Sequence, residues 1–299
     1  MRARLDELVA SRVAEGAAVP ALTCYDFTTA LAVVAAAETY GRGVTLLVTP
    51  KTAAAADGAR FTRALRGLAD SASVPVVVQL DHATDLDLIL ATVDAGADAV
   101  LADGSKLSFD DNAAFVAHVR DLTHNRGIVI EAELGSIEGD EDRAFAVAAA
   151  SAGKTNPELV APYVLLSGAH LLATSVGNVH GKYVGTPELD WPLIDSIRTQ
   201  SRVPLALHGA SGLSDADLRR AISAGLGKIN INTELRGAIL DALTEQLPVS
   251  RSNGDDVLAF DARWRDAAYE FALGALGRLS PPADAGTPPE STRAESTPL

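Results

Sequence analysis

Val74-Pro75-Val76-Val77-Val78-Gln79-Leu80-Asp81-His82 is the stretch whose reading decides the fold. Its β-branched valines suit a buried strand. A carboxylate and an imidazole then stand side by side at the carboxyl end of the run. That is an odd place for polar groups that only decorate a loop. It is a natural place for a metal ligand beside a proton-transfer group.

Working outward, the same rhythm recurs. Strand-like apolar runs fall at residues 21–24, 44–48, 74–80, 99–102, 127–133, 171–175, 204–208 and 228–231. Helical patterns separate them. Leu5, Leu8, Val9 and Val13 recur at helical spacing, and Pro20 is expected to end that helix. Residues 27–40 are Ala-rich and helical, and Phe61, Leu65 and Leu68 share a helix face. Gly96 stops a helix over residues 85–95, and Ser108 and Ser214 are N-cap candidates. Helices are expected over residues 155–167, 191–201 and 234–247, with one or two more over residues 255–279.

Eight strand-like runs alternating with helices predict an α/β fold with a parallel sheet. Eight units fit a closed (β/α)8 TIM barrel with extra C-terminal helices. An open doubly wound sheet is the alternative, but Thr23-Cys24-Tyr25-Asp26 stands where its glycine-rich turn would be. The expected domain is a single barrel over residues 1–279. Residues 280–299, with five prolines and many Ser, Thr and Glu, read as a disordered tail.

The chain has 299 residues, 47% apolar, enough for a sizeable core. A single cysteine, Cys24, excludes an internal disulfide and suits a reducing compartment. No secretory h-region or membrane-length apolar stretch is present, so a cytoplasmic protein without a membrane partner is expected. A net charge of −14 argues against nucleic acid as a partner.

The chemistry follows from position. Of six histidines, His118 and His124 lie on a predicted helix and read as surface residues, and His170 begins a strand and reads as structural. His82, His180 and His208 each follow a strand, the third, sixth and seventh. In a barrel those ends converge on the face that carries the active site. Three imidazoles with an open fourth position are a catalytic zinc arrangement. Carboxylates repeat the pattern: Asp81, Asp103, Glu131 and Glu133 end the third to fifth strands. Several buried carboxylates imply a cation, or a role in orienting the histidines.

Three further stretches look like anion cradles: His180-Gly181-Lys182-Tyr183, His208-Gly209-Ala210-Ser211-Gly212, and Asn230-Ile231-Asn232-Thr233. Barrels build phosphate sites from the loops after strands seven and eight, with a helix N-terminus aimed at the anion.

These residues resemble the class II, zinc-dependent ketose-bisphosphate aldolases, particularly the fructose- and tagatose-bisphosphate group. The resemblance covers about residues 20–247. It rests on Leu80-Asp81-His82, Asp103-Gly104-Ser105, Glu131-Ala132-Glu133-Leu134-Gly135, Gly139-Asp140-Glu141-Asp142, Thr155-Asn156-Pro157, His180-Gly181-Lys182-Tyr183, Leu207-His208-Gly209-Ala210-Ser211-Gly212 and Lys228-Ile229-Asn230-Ile231-Asn232-Thr233-Glu234-Leu235.

The resemblance implies zinc on His82, His180 and His208. Asp81 would be the proton donor to the aldehyde oxygen, and Glu141 the mobile base that removes the proton alpha to the ketone. Gly181, Gly209, Ser211, Asn230 and Thr233 match positions that hold dihydroxyacetone phosphate, with Ala210, Ile231 and Asn232 beside them. Asp103 and Glu133 match groups near the metal, with a second cation such as Na+ or K+ near the phosphate site. The implied reaction is aldol cleavage or condensation of a ketose (bis)phosphate, giving dihydroxyacetone phosphate and an aldehyde such as glyceraldehyde 3-phosphate. No lysine Schiff base is needed, and Lys182 and Lys228 fit anion binding or packing. A homodimer or homotetramer is implied by the resemblance alone.

The chain departs from the family pattern at particular places. Gln79 stands where the family has a histidine, Ala21-Leu22-Thr23 where it has Ala-Phe-Asn, and Glu138 at the first glycine of a Gly-Gly. The metal and phosphate parts are intact; the substrate side differs. Gln79 and Thr23 motivate a second reading, a lyase of specialised metabolism acting on another keto substrate. A third, a non-catalytic metal-binding barrel, is opposed by the retention of Asp81, Glu141 and all three histidines.

Overall fold

A computed structural model of the chain describes residues 3–139, 142–143, 145–147 and 153–281. Eight parallel strands close into a barrel: β1 Val19–Thr23, β2 Val44–Val48, β3 Val76–Ala83, β4 Ala99–Ala102, β5 Val129–Leu134, β6 Leu171–Thr174, β7 Leu205–Leu207 and β8 Leu226–Ile231. Each pairs with its neighbours in sequence, and β8 closes onto β1 with Val19 beside Lys228 and Leu22 beside Ile231. Closure removes the sheet edge and directs every strand's carboxyl end to one face. Among the described residues, no helix is long and apolar enough to cross a membrane.

Alternation along the strands sorts side chains into two populations. Val76, Val78, Leu80, Val100, Ile130, Leu172, Leu207, Ile229 and Ile231 point outward into one core shared with the surrounding helices. Their alternates point into the lumen. At the amino ends of the strands, Val19, Val77, Ala99, Val129 and Leu171 form an apolar layer. The helix Leu5–Ala14 packs Leu5 and Val9 against that layer and closes this end of the barrel. Above it the lumen turns polar: Gln79, Glu131 and Lys228 are fully buried there.

The helix Val257–Arg278 packs on Phe27–Tyr40 and Thr233–Ser252. Alanines on both sides, such as Ala30, Ala37, Ala268 and Ala272, are buried in the seam. Thr28 Oγ1 donates to Asp261 (3.0 Å) and Trp264 Nε1 to Thr29 (3.0 Å) across it.

The prolines behave differently from the sequence expectation. The first helix ends at Ala14, and Pro20 lies inside β1, near its start, where a missing N–H is tolerated. β3 begins only after Pro75, whose carbonyl accepts from Val44 N. The helix expected to stop at residue 247 runs through Pro248 to Ser252, and the residues after it form one long helix. Ser280, placed in the tail by composition, hydrogen-bonds Leu276 O and accepts from Arg12. Residues 282–299 lie outside the described residues.

Candidate active site

Asp81 and His82 are neighbours in β3, and regular alternation would send them to opposite faces. Two local features bring both to the mouth. The β3–β4 register shifts between Leu80 and Ala83, and His82 takes φ +43°. A non-glycine residue in that region is uncommon and marks a position held by its surroundings.

The three histidines converge. His82, His180 and His208 offer ligand atoms all within 4.8 Å of one another. His208 follows β7, and His180 follows β6 on the short strand Val179–His180. That strand pairs with Glu138–Gly139 of the loop after β5. A Cβ on Gly139 would lie 2.0 Å from His180 O, so only glycine allows the two loops to meet.

Two of the three rings are oriented by a carboxylate. Asp103 Oδ2 lies 2.9 Å from His82 Nδ1 and Glu131 Oε1 lies 2.8 Å from His208 Nε2. These carboxylates call for N–H at those two nitrogens. His82 Nε2 and His208 Nδ1 then face each other at 2.8 Å with their lone pairs. Two facing lone pairs repel unless a proton or a cation lies between them. The donor set therefore fits a zinc-type ion held by three imidazoles.

Asp103 and Glu133 gather at the other side of His82, with Glu133 Oε2 3.6 Å from Nδ1. There they can orient the ring or, with His82, hold a cation. Burial opposes the charge on Asp103, but hydrogen bonds from His82 and Ser105 outweigh it and hold the carboxyl well below its usual range. Burial pushes Glu133 up to about 7, against the pull of His82 and helped by the charge of Asp103. Burial also opposes the charge on Glu131, but Lys228, His208 and Gln79 keep it ionised. Burial lowers His208 and favours its neutral, ligand-competent ring.

Asp81 is buried, and its Oδ2 accepts from Asn230 Nδ2 (3.1 Å). On one side of His180 a pocket is lined by Gly181, Gly209, Ser211, Asn230, Asn232 and Thr233. Thr233 begins the helix Thr233–Ser252. Ala210 and Ile231 pack their side chains into the outer core and do not line this pocket. On the other side of His180 a cavity of about 640 Å³ reaches the loops after β2, β4 and β5 and includes Lys51, Thr84, Ser105 and Lys106. His180 lines both spaces.

Sequence reasoning missed a tie across the mouth. Tyr25 after β1 donates to Asp142 Oδ1 (3.2 Å), Lys51 after β2 pairs with Asp142 Oδ2 (2.8 Å), and Arg236 donates to the Asp142 carbonyl. Asn232 donates to Tyr25 OH (3.0 Å), which links the tie to the pocket. The partners come from segments far apart in the chain, after β1, β2, β5 and β8, so no spacing could reveal it. Glu141 lies outside the described residues. Lys228 is buried against Glu131 (2.9 Å), a packing role and not an anion site. His118 and His124 are exposed, and half-buried His170 accepts from Ile130 N at the far end of the barrel.

The closed parallel barrel gathers three imidazoles and a buried acid at the face where enzymes of this fold carry their active sites. The chain belongs to the class II fructose-bisphosphate aldolase family, whose model matches residues 3–275. It is 40% identical over 228 residues to the D-tagatose-1,6-bisphosphate aldolase subunit GatY of Klebsiella oxytoca, covering 76% of this chain and 80% of that protein. The YdjI aldolase of Escherichia coli K12 superposes with a TM-score of 0.82 at 28% identity, covering 93% of this chain and 97% of that one. Fructose-bisphosphate aldolase from Campylobacter jejuni superposes with a TM-score of 0.76 over 92% of this chain and 93% of that one. At 20% identity the latter speaks to the fold alone.

Proposed function

We propose that the chain is a zinc-dependent aldolase that cleaves a ketose phosphate or bisphosphate into dihydroxyacetone phosphate and an aldehyde such as glyceraldehyde 3-phosphate, and catalyses the reverse condensation. The observation that carries the reading is the meeting of His82, His180 and His208 beside buried Asp81 and a pocket of small and amide-bearing residues.

Zinc held by the three histidines supplies a Lewis acid for the ketone oxygen. The pocket around Gly181, Gly209, Ser211 and Thr233 holds the phosphate through backbone N–H groups, hydroxyls and the helix start. Glu141 removes the proton alpha to the ketone. Asp81, kept in place by Asn230, passes a proton to and from the aldehyde oxygen. The aldehyde portion occupies the larger cavity, because His180 stands between it and the phosphate pocket. A second cation such as Na+ or K+ finds carboxylates at Asp103 and Glu133.

The test is a cleavage assay with zinc-loaded protein over epimeric ketose 1,6-bisphosphates and ketose 1-phosphates. Turnover that a chelator abolishes, with no trapping by borohydride, supports the reading. Full activity of metal-free protein overturns it. A second reading, a different keto substrate, is favoured by Thr23: its hydroxyl is buried without a hydrogen-bond partner in this structure. Turnover of non-phosphorylated ketoses alone would select that reading.

A further inference from the structure

Beneath the histidines lies a buried polar layer that no step above uses. Glu131 accepts from Gln79 Nε2 (2.8 Å) and from Lys228 Nζ (2.9 Å) on the same oxygen, Oε2. Its other oxygen, Oε1, meets His208 Nε2 at 2.8 Å. Gln79, Glu131, Lys228 and His208 are all fully buried. The amide of Gln79 can present only its NH2 to this carboxylate, since the reverse orientation sets oxygen against oxygen. Its own Oε1 has no hydrogen-bond partner. An apolar side chain would fill the space without burying an unpaired oxygen, so packing does not explain the amide. Its bond to Glu131 does.

We propose that Gln79 is a positioning residue for the metal centre: with Lys228 it occupies Glu131 Oε2, leaves Oε1 for the His208 N–H, and so holds His208 with Nδ1 turned toward His82 and His180. The assignment rests on the zinc reading of the three histidines. Lys228 also matches the charge of Glu131, so the carboxylate steers His208 without adding net negative charge beneath the metal. Without the Gln79 donor, Oε2 keeps Lys228 alone, and the carboxylate can rotate to share Lys228 between its oxygens. His208 then loses its fixed partner. Gln79 touches neither substrate nor metal in this arrangement and acts only through Glu131.

The experiment compares wild-type protein with Gln79→Met, which keeps the volume without a donor, and Gln79→His, which restores a ring N–H. Zinc affinity is read by competition with a chromophoric chelator, and the visible spectrum is recorded after cobalt loading. Gln79→Met is expected to weaken zinc binding about tenfold, the lower end for losing support behind a metal-ligating histidine, and to alter the cobalt bands. Gln79→His is expected to return both toward wild type. Should Gln79→Met fail to fold, Gln79→Asn withdraws the amide by one methylene and carries the same expectation. Unchanged affinity and cobalt spectrum in the Met variant would overturn the assignment while leaving the zinc site standing. Wild-type protein that takes up neither metal would overturn the zinc reading itself.

Discussion

His82 Nε2 and His208 Nδ1 lie 2.8 Å apart, and the other nitrogen of each ring faces a carboxylate. A proton shared by these two nitrogens would occupy the place that a bound ion takes. Zinc binding is expected to release about one proton per ion from this pair near neutral pH. Calorimetric titrations in two buffers of different ionisation enthalpy measure it. Equal heats in both buffers would contradict the shared-proton arrangement.

Asp81 and Glu141 are assigned opposite ends of the reaction, so their variants should separate. Asp81→Asn is expected to lower cleavage about 10²–10⁴-fold, the usual loss for a general acid. It should still exchange the alpha hydrogen of dihydroxyacetone phosphate with solvent. Glu141→Gln should lose that exchange. Deuterium uptake followed by proton NMR distinguishes them, and identical losses of exchange in both variants would refute the division of labour.

Tyr25 connects Asn232 in the pocket to Asp142 on the loop after β5. Tyr25→Phe keeps the ring and removes both bonds. A fall of about fivefold in kcat is expected, the equivalent of one ordinary hydrogen bond, with little change in melting temperature. Steady-state kinetics beside a thermal melt provide the check. An unchanged kcat would leave the tie without a role in turnover.

Gly209 sits at φ +58°, and a Cβ there would be 2.0 Å from Val179 O. Gly209→Ala must move the His208 loop away from the strand that carries His180. The backbone strain alone costs about 1–2 kcal/mol. Lower stability in urea and a raised KM for the phosphate substrate are expected together; a neutral alanine would show that the loop yields.

At the opposite end of the barrel, burial lowers His170, whose Nδ1 accepts the Ile130 N–H. A protonated ring cannot accept that bond. Because the folded-state value lies below the ordinary one, this stability is present above about pH 6.5 and fades as pH falls through the lowered folded value. Urea midpoints of wild type and His170→Gln should differ most at neutral pH and converge under acid. A constant difference across that range would exclude the titration.

The barrel was legible because unbroken apolar runs such as Val76-Val77-Val78, and their counterparts in other strands, report burial on both faces of a parallel sheet. The three histidines were legible because each lies at or beyond the carboxyl end of a barrel strand. Two things were hidden. Alternation cannot place Asp81 and His82 on one face; a register shift and a positive φ do that, and neither has a residue signature here. The Gln79–Glu131–Lys228 layer joins three strands across the lumen, so only closure of the barrel makes its members neighbours. Pro20 misled because breaker rules describe isolated elements, whereas burial of β1 on both faces carries the strand through one missing N–H; the helix runs through Pro248 even though that proline is exposed.

The helix Leu5–Ala14 stoppers the barrel at the end away from the site. Among the described residues, access to the lumen is thereby left to the strands' carboxyl ends. A tether attached ahead of Leu5 would anchor the molecule by its closed base and leave those ends facing the solution. This gives immobilised protein a defined orientation without any change to the catalytic end.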